Sequence, residues 1–366
     1  MSQGGPQRRG PVHVGDRARV ARRVARRVGS RLETRVPGSP GGCAPLTAHL
    51  GLGDWSWEPT VLCGVVAVVA AYALAWRSRW LRRADDVSPW FRDSRWRPVF
   101  FGVGVLAGFV ALLSPIDTGG DLYLFSLHMV QHLLLMMVAP PLVLLGIAGM
   151  HTPPNQFRRV RRIWWVLTRP WVALVLFNVV MLLWHLPGLY DTTLTTEPIH
   201  VVEHLSFLAV GIIFWWPIVD PVRGPNTKLV SPLEKIAVLV VSGIPPTVLG
   251  LIFALAPVAF YNYYVHAPRL WGVTPVADQQ YGGVVMLGLG NIVYFIAITI
   301  IFVRLLGDQA HDEAAAFHRL TEPSVGPGRA EDASQESSPR IDAVPAATPR
   351  STANERVAVL AEGGSE

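Results

Sequence analysis

Long uncharged blocks alternate with short charged ones along this chain, and no block carries the regularly spaced charges that a solvent-facing helix needs. Seven blocks are long enough to cross about 30 Å of hydrocarbon: residues 60–76, 98–114, 124–147, 171–187, 199–217, 236–257 and 282–306. The fourth has the least definite start, because Trp164, Trp165 and Val166 extend it backwards past Arg169-Pro170. The first is short but uncharged, and Trp55 and Trp57 on one side with Trp76 and Trp80 on the other suit interfacial anchors. The pattern predicts an all-α integral membrane protein with seven transmembrane helices. Composition agrees: 51% of the 366 residues are hydrophobic and only 16% charged, against roughly 25% charged in soluble domains.

Loop charge then orients the chain. Residues 77–97 hold seven arginines, 149–170 hold five, and 218–235 hold Arg223, Lys228 and Lys235. The alternate loops 115–123 and 188–198 hold no basic residue, and 258–281 holds Arg269 alone. Basic loops stay in the cytoplasm, so the first span starts outside and the C-terminus is cytoplasmic.

Against this background five histidines stand out. His128 and His132 lie four residues apart in span 3, His200 and His204 repeat the spacing in span 5, and His185 ends span 4 in MLLWHLP. The i, i+4 spacing puts both rings of a pair on one helix face, roughly 5–6 Å apart at Cβ. Imidazole is costly in lipid without a partner and marks function there. With the predicted orientation, all five fall in one outer-leaflet layer. They are the candidate metal ligands.

Other residues have a bland reading beside the functional one. A membrane histidine also serves as an interhelical hydrogen-bonding group. Met129, Met136 and Met137 offer soft thioether ligands or apolar filler. Glu203 either orients a ring as second acceptor or is an interfacial carboxylate. Cys63 is either a ligand or, more simply, a small packing residue, Cys43 lies in the N-terminal tail, and Asp117 and Asp121 either attract a cation or, the plainer reading, are ordinary outer-loop acids. His266 sits in the outer loop after span 6. Ala139-Pro140-Pro141 and Ile244-Pro245-Pro246 interrupt spans 3 and 6 and are expected to shape them; the Gly-rich stretch GGVVMLGLGN in span 7, with Gly288 and Gly290, is expected to allow close helix approach.

The run HMVQHLLLMMVAPPLVLLG, then WHLPGLYD, then HVVEHLSFLAVGIIFWWPI resembles the seven-span cytochrome c oxidase assembly factors of the CtaG type, described for caa-type oxidases. WSWEPTVLCG and the YNYYVHAPRLWG loop are similar too, so the likeness covers roughly 54–307. The stretch GIAGMHTPPN departs from the family by lacking a proline soon after Gly146. The resemblance implies a plasma-membrane protein that helps make an active terminal oxidase, with a role in supplying copper. Oxidase subunits are then the expected partners, with membrane lipid around the spans and an extracytoplasmic copper carrier as a further candidate. Imidazole suits copper, and copper(II) binds N/O sites more tightly than other common divalent ions. Two alternatives stay open: a haem held between histidines of facing helices, and a proton or solute carrier using the histidines as a relay. No nucleotide loop or catalytic dyad is present in the sequence, so no enzyme is expected.

The ends form separate regions. Residues 1–53 are an arginine-rich extension with ten arginines between positions 8 and 35 and Val20, Val24, Val28 and Leu32 at four-residue spacing. A surface helix or a nucleic-acid arm would fit the charge, but the topology places this segment outside. A true start near Val36 or Leu46 is the plainest explanation, and no nucleic-acid partner is expected. Residues 54–307 form the membrane domain. Residues 308–366, with eleven acidic and five basic residues, read as a disordered cytoplasmic tail after a short helix near 309–320.

Topology reporters test this frame. Fusions in 77–97, 149–170, 218–235 and at the C-terminus should report cytoplasmic, and a fusion near Thr193 should report the outside; a cytoplasmic signal there would remove the outer histidine layer.

Overall fold

The computed structural model describes residues 50–77, 95–148, 150–151, 158–223 and 230–321. Most of both tails, Cys43, Trp80 and the larger part of the first arginine-rich loop lie outside the described residues. The chain divides by its internal contacts into residues up to Gln309 and a second unit from Ala310; the described part of that unit is the end of the last helix.

The fold is all-α. Helix α1 spans Pro59–Arg77, α2 Trp96–Leu113, α3 Pro115–Leu122, α4 Phe125–Leu133, α5 Ala139–Gly146, α6 Arg158–Leu167, α7 Pro170–Trp184, α8 Pro187–Thr195, α9 Glu197–Val219, α10 Pro232–Leu255, α11 Asn262–His266, α12 Pro275–Val285 and α13 Asn291–Thr321. A π-helical turn, Leu134–Val138, joins α4 to α5, and a second, Met286–Gly290, joins α12 to α13. The only strands among the described residues are β1, Met150–His151, and β2, Val222–Arg223, which pair in parallel. They follow α5 and α9 and so tie together the ends of those helices that lie far from the histidines.

Six helical stretches are long and apolar enough to span a bilayer, and the pair α6–α7, bent by 75°, makes a seventh if it is counted as one. The fourth expected span, 171–187, begins where expected, at Pro170, and ends earlier, at Trp184; a backward extension past Arg169-Pro170 crosses the bend. Trp164 and Trp165 belong to a separate helix across the bend, and α7 has 15 residues, about 22 Å at 1.5 Å per residue. The segment 115–123, expected as a loop, is mostly the buried helix α3. The helix expected near 309–320 is the end of α13. Outer faces carry Val99, Val103, Val175, Val179, Val201, Leu205, Val248 and Ile252, all exposed and apolar, as lipid contact requires. This is a multi-pass membrane protein.

The prolines do less breaking than their number suggests. Helix α10 continues through Pro245 and Pro246. In span 3 the π turn leads directly into Ala139-Pro140-Pro141 and the helix continues. Pro140 has no N–H to offer the carbonyl of Met136, four residues back; the Trp215 indole on α9 donates to that carbonyl instead, at 3.2 Å. This is how lipid-depth backbone stays satisfied when a proline intrudes. Close approach in span 7 comes, as expected, from the GGVVMLGLGN stretch, but from its first glycines rather than Gly288 and Gly290. A Cβ at Gly288 would meet open space and one at Gly290 only ordinary contact, whereas Gly283 lies backbone to backbone with Gly250 and Ala254 of α10.

Helix α4, which carries two of the histidines, is capped from a distance. Leu124 at its N-cap offers no side-chain oxygen. Asp278 of α12 supplies it, accepting from the Phe125 N–H at 2.6 Å and from the Ser126 N–H and hydroxyl at 3.1 and 2.6 Å. A carboxylate at a helix N-terminus answers both the orphan donors and the dipole. Asp278→Ala should lower stability by about 1–2 kcal/mol, read by unfolding in detergent, with Asp278→Asn intermediate; unchanged stability in both would remove the cap from the account.

Candidate metal centre

The five histidines predicted from spacing do meet. All are buried, from His128 at 0% exposure to His204 at 9%. His128 and His132 project from α4, His200 and His204 from the first two turns of α9, and His185 follows the last residue of α7. Ring centroids lie 4.2 Å apart within the first pair and 4.1 Å within the second. Across helices, His128 is 5.6 Å from His200, His132 is 5.6 Å from His204, and His132 is 6.0 Å from His185. Three helix ends thus converge on one layer.

Two acids complete it. Asp121, at the end of α3, lies 3.2 Å from His200 Nε2 and 3.9 Å from His128 Nδ1. Glu203 of α9 lies 3.7 Å from His132 Nε2. The donors fall into two adjoining groups, His128, His132, Glu203 and His204, and Asp121, His128 and His200, each with its ligand atoms within 4.8 Å of one another. Four ligands at ~2.0 Å around one ion sit roughly 3.3 Å apart, so modest side-chain movement closes either group onto a cation. His128 belongs to both. His132 has no hydrogen-bonding partner for either ring nitrogen among the described residues, an arrangement that suits a ligand better than an interhelical hydrogen-bonding group.

His185 stands at the edge of these groups. Its Nδ1 meets the Met181 carbonyl at 2.7 Å, and since a carbonyl only accepts, the proton of the neutral ring lies on Nδ1. Its Nε2 is then an open lone pair, 3.4 Å from the Met129 sulfur. The Trp184 indole donates to the Ser206 hydroxyl at 2.8 Å and fixes this end of α7 against α9.

Aromatic residues hold the layer from both sides. His128 packs on Tyr190 at 5.4 Å and His132 on Phe207 at 4.5 Å. Over the site, Tyr261 at the N-cap of the short helix α11 and two tyrosines within it aim hydroxyls at backbone carbonyls: Tyr261 to His185 at 2.9 Å, Tyr263 to Asp121 at 2.8 Å and Tyr264 to Gly120 at 2.6 Å. Asp191 in turn accepts from the N–H groups of Asn262 and Tyr263 at 3.2 and 3.1 Å and caps α11. Burial pushes the Asp191 carboxyl up, while those two N–H groups and nearby His266 pull it down.

Several single-residue expectations change. Asp121 is no ordinary loop acid: it is buried at 1% exposure among the histidines, because α3 folds back on α4 so closely that a Cβ at Gly120 would meet the His128 backbone at 2.9 Å. Its place seven residues before His128 was the available signal, obscured by the break at Tyr123-Leu124. Asp117 accepts from Ser56 and Gln131 at 2.8 and 2.9 Å and holds α3 in place. Cys63 is exposed rather than packed. His266 is a half-buried residue of α11 whose ring meets the Asn262 carbonyl, outside the cluster. The tyrosine hydroxyls carried no spacing signal.

The family model for the cytochrome c oxidase caa3 assembly factor matches residues 70–308, which include all five histidines and both acids. This chain belongs to that family. Among its relatives are uncharacterized proteins of Mycobacterium bovis and Mycobacterium tuberculosis, each 26% identical over 260 residues, covering 62% of this chain and 36% of the relative. Another, from Mycobacterium leprae, is 24% identical over 290 residues, covering 70% and 40%. The chain thus spans well under half the length of the curated relatives it matches. No solved structure matches it.

Replacing His128 and His132 together by Ala should abolish divalent-metal retention by the protein, measured as metal content against thermal unfolding of the same variant. Metal retained at unchanged stoichiometry would confine the site to His185, His200 and His204.

Proposed function

We propose that this protein binds copper in its buried histidine–carboxylate layer and delivers it to a terminal cytochrome c oxidase during assembly. The observation that carries the reading is the convergence of five imidazoles and two carboxylates from four helices at one end of the bundle. Copper is the cargo. Imidazole nitrogen with a few oxygens is the donor set on which copper(II) outcompetes other common divalent ions, and membership in the caa3 assembly family supplies the destination.

The arginine-rich loops argue for a cytoplasmic C-terminus and an extracytoplasmic histidine layer in the cell membrane. Copper would then arrive from an extracytoplasmic carrier and leave sideways to an oxidase subunit, without crossing the bilayer. Glu203 and Asp121 balance the ion's charge, and the tyrosine hydroxyls keep the helix ends from spreading when it leaves. The rings stand 4–6 Å apart, backed by Tyr190 and Phe207, which favours a single ion over the broad slot a haem requires. The far half of the bundle is packed with Phe177, Phe214 and Trp215, poor lining for a relay that must continue through the membrane.

A deletion strain tests this. It should insert oxidase subunits and haem but lack oxidase activity at limiting copper, and added copper should restore activity at least partly by mass action. A His128→Ala copy present in the membrane should fail to complement. Normal activity in the deletion strain at limiting copper, with no second copy of the gene, would overturn the assembly reading.

A further inference from the structure

Five of the chain's seven methionines line a single cavity. They are Met129, Met136, Met137, Met181 and Met286; the remaining two are Met1 and Met150. The cavity has a volume of about 40 Å³ and reaches His132 and His185 at one end, with room for a few water-sized species at the ~10–15 Å³ each requires. Methionine does fill irregular gaps in cores, but filler has no reason to collect around one void. Both π-helical turns contribute to the lining: Leu134–Val138 carries Met136 and Met137, and Met286 opens the other. Single π turns inside α-helices recur at functional sites.

The contact between His185 and Met129 decides what the cavity suits. The Met181 carbonyl takes the proton side of the ring, so Nε2 points a lone pair at the Met129 sulfur across 3.4 Å. Two acceptors facing each other gain nothing by themselves. A nitrogen at ~2.0 Å and a sulfur at ~2.3 Å from one tetrahedral ion would stand roughly 3.5 Å apart, close to the separation observed. Thioethers select copper(I), and imidazole accepts it.

We infer that Met129 and His185 form a second metal site, a thioether–imidazole pair that takes a cuprous ion within the methionine-lined cavity beside the histidine–carboxylate layer. It rests on the copper-carrying reading of that layer and adds to it a site of softer donors. The ion keeps its oxidation state, so no redox partner is needed. The cavity's other thioethers offer further ligands of the same kind.

The test uses the full chain in detergent, loaded under reducing conditions with copper(I) supplied as its bicinchoninate complex. X-ray absorption at the copper edge should show sulfur at about 2.3 Å together with nitrogen. Met129→Leu, which keeps volume and apolarity, should weaken copper(I) at least tenfold in competition and remove the sulfur signal, with copper(II) retention unchanged. His200→Ala, outside the cavity, should weaken copper(II) retention and leave the sulfur signal intact. Nitrogen-only coordination in the unaltered protein, a measurement that needs no variant, would overturn the inference. So would unchanged copper(I) affinity in Met129→Leu. Undiminished copper(II) retention in both His200→Ala and His128→Ala would instead count against the histidine layer, leaving the methionine site to stand on its own sulfur signal.

Discussion

A polar group at membrane depth has no water to turn to, and every other feature of this molecule follows from that constraint. Five imidazoles and two carboxylates occupy one layer, and each is costly there alone. They become tolerable by facing one another: Asp121 against His200 and His128, and Glu203 against His132. The same rule governs the backbone. Asp278 reaches across from α12 to answer the first N–H groups of α4, and Trp215 answers the carbonyl that Pro140 leaves open.

These supports keep the layer rigid without using its own donor atoms. The ring-bearing helices are fixed at their ends by groups that are not themselves ligands: Tyr261, Tyr263 and Tyr264 on carbonyls, Trp184 on Ser206, and Asp117 between Ser56 and Gln131. Metal sites depend on such outer partners for ring orientation and affinity. Under the proposed copper-carrying role, an ion would come and go with only side-chain movement, while the helices stay where the hydroxyls hold them.

Soft and hard donors are also kept apart. Carboxylates lie on the α3 and α9 side of the histidines, and the thioethers lie on the side facing the two π turns. His132 borders both regions and His185 faces the methionines. A mixed arrangement of this kind offers copper different environments within a few ångströms, with no charged residue of the lipid-facing surface involved.

Hydropathy and spacing determined much by themselves. Uncharged blocks of membrane length can fold only as helices there, because only a helix satisfies its own backbone, so the all-α membrane class was legible, as was the pairing of histidines on single faces by the i, i+4 rule. That the five share a layer also followed, since alternate spans run in opposite directions and the histidines fall at matching ends. Tertiary structure decided the rest. Asp121 was hidden because a helix break separates it from His128 and only the contact at Gly120 brings it back. The tyrosine hydroxyls set on distant carbonyls depend on partners far along the chain. So does the gathering of methionines from three spans around one cavity. Local periodicity reports which face a residue occupies; which residue it meets there is fixed by long-range packing, which leaves no period in the sequence.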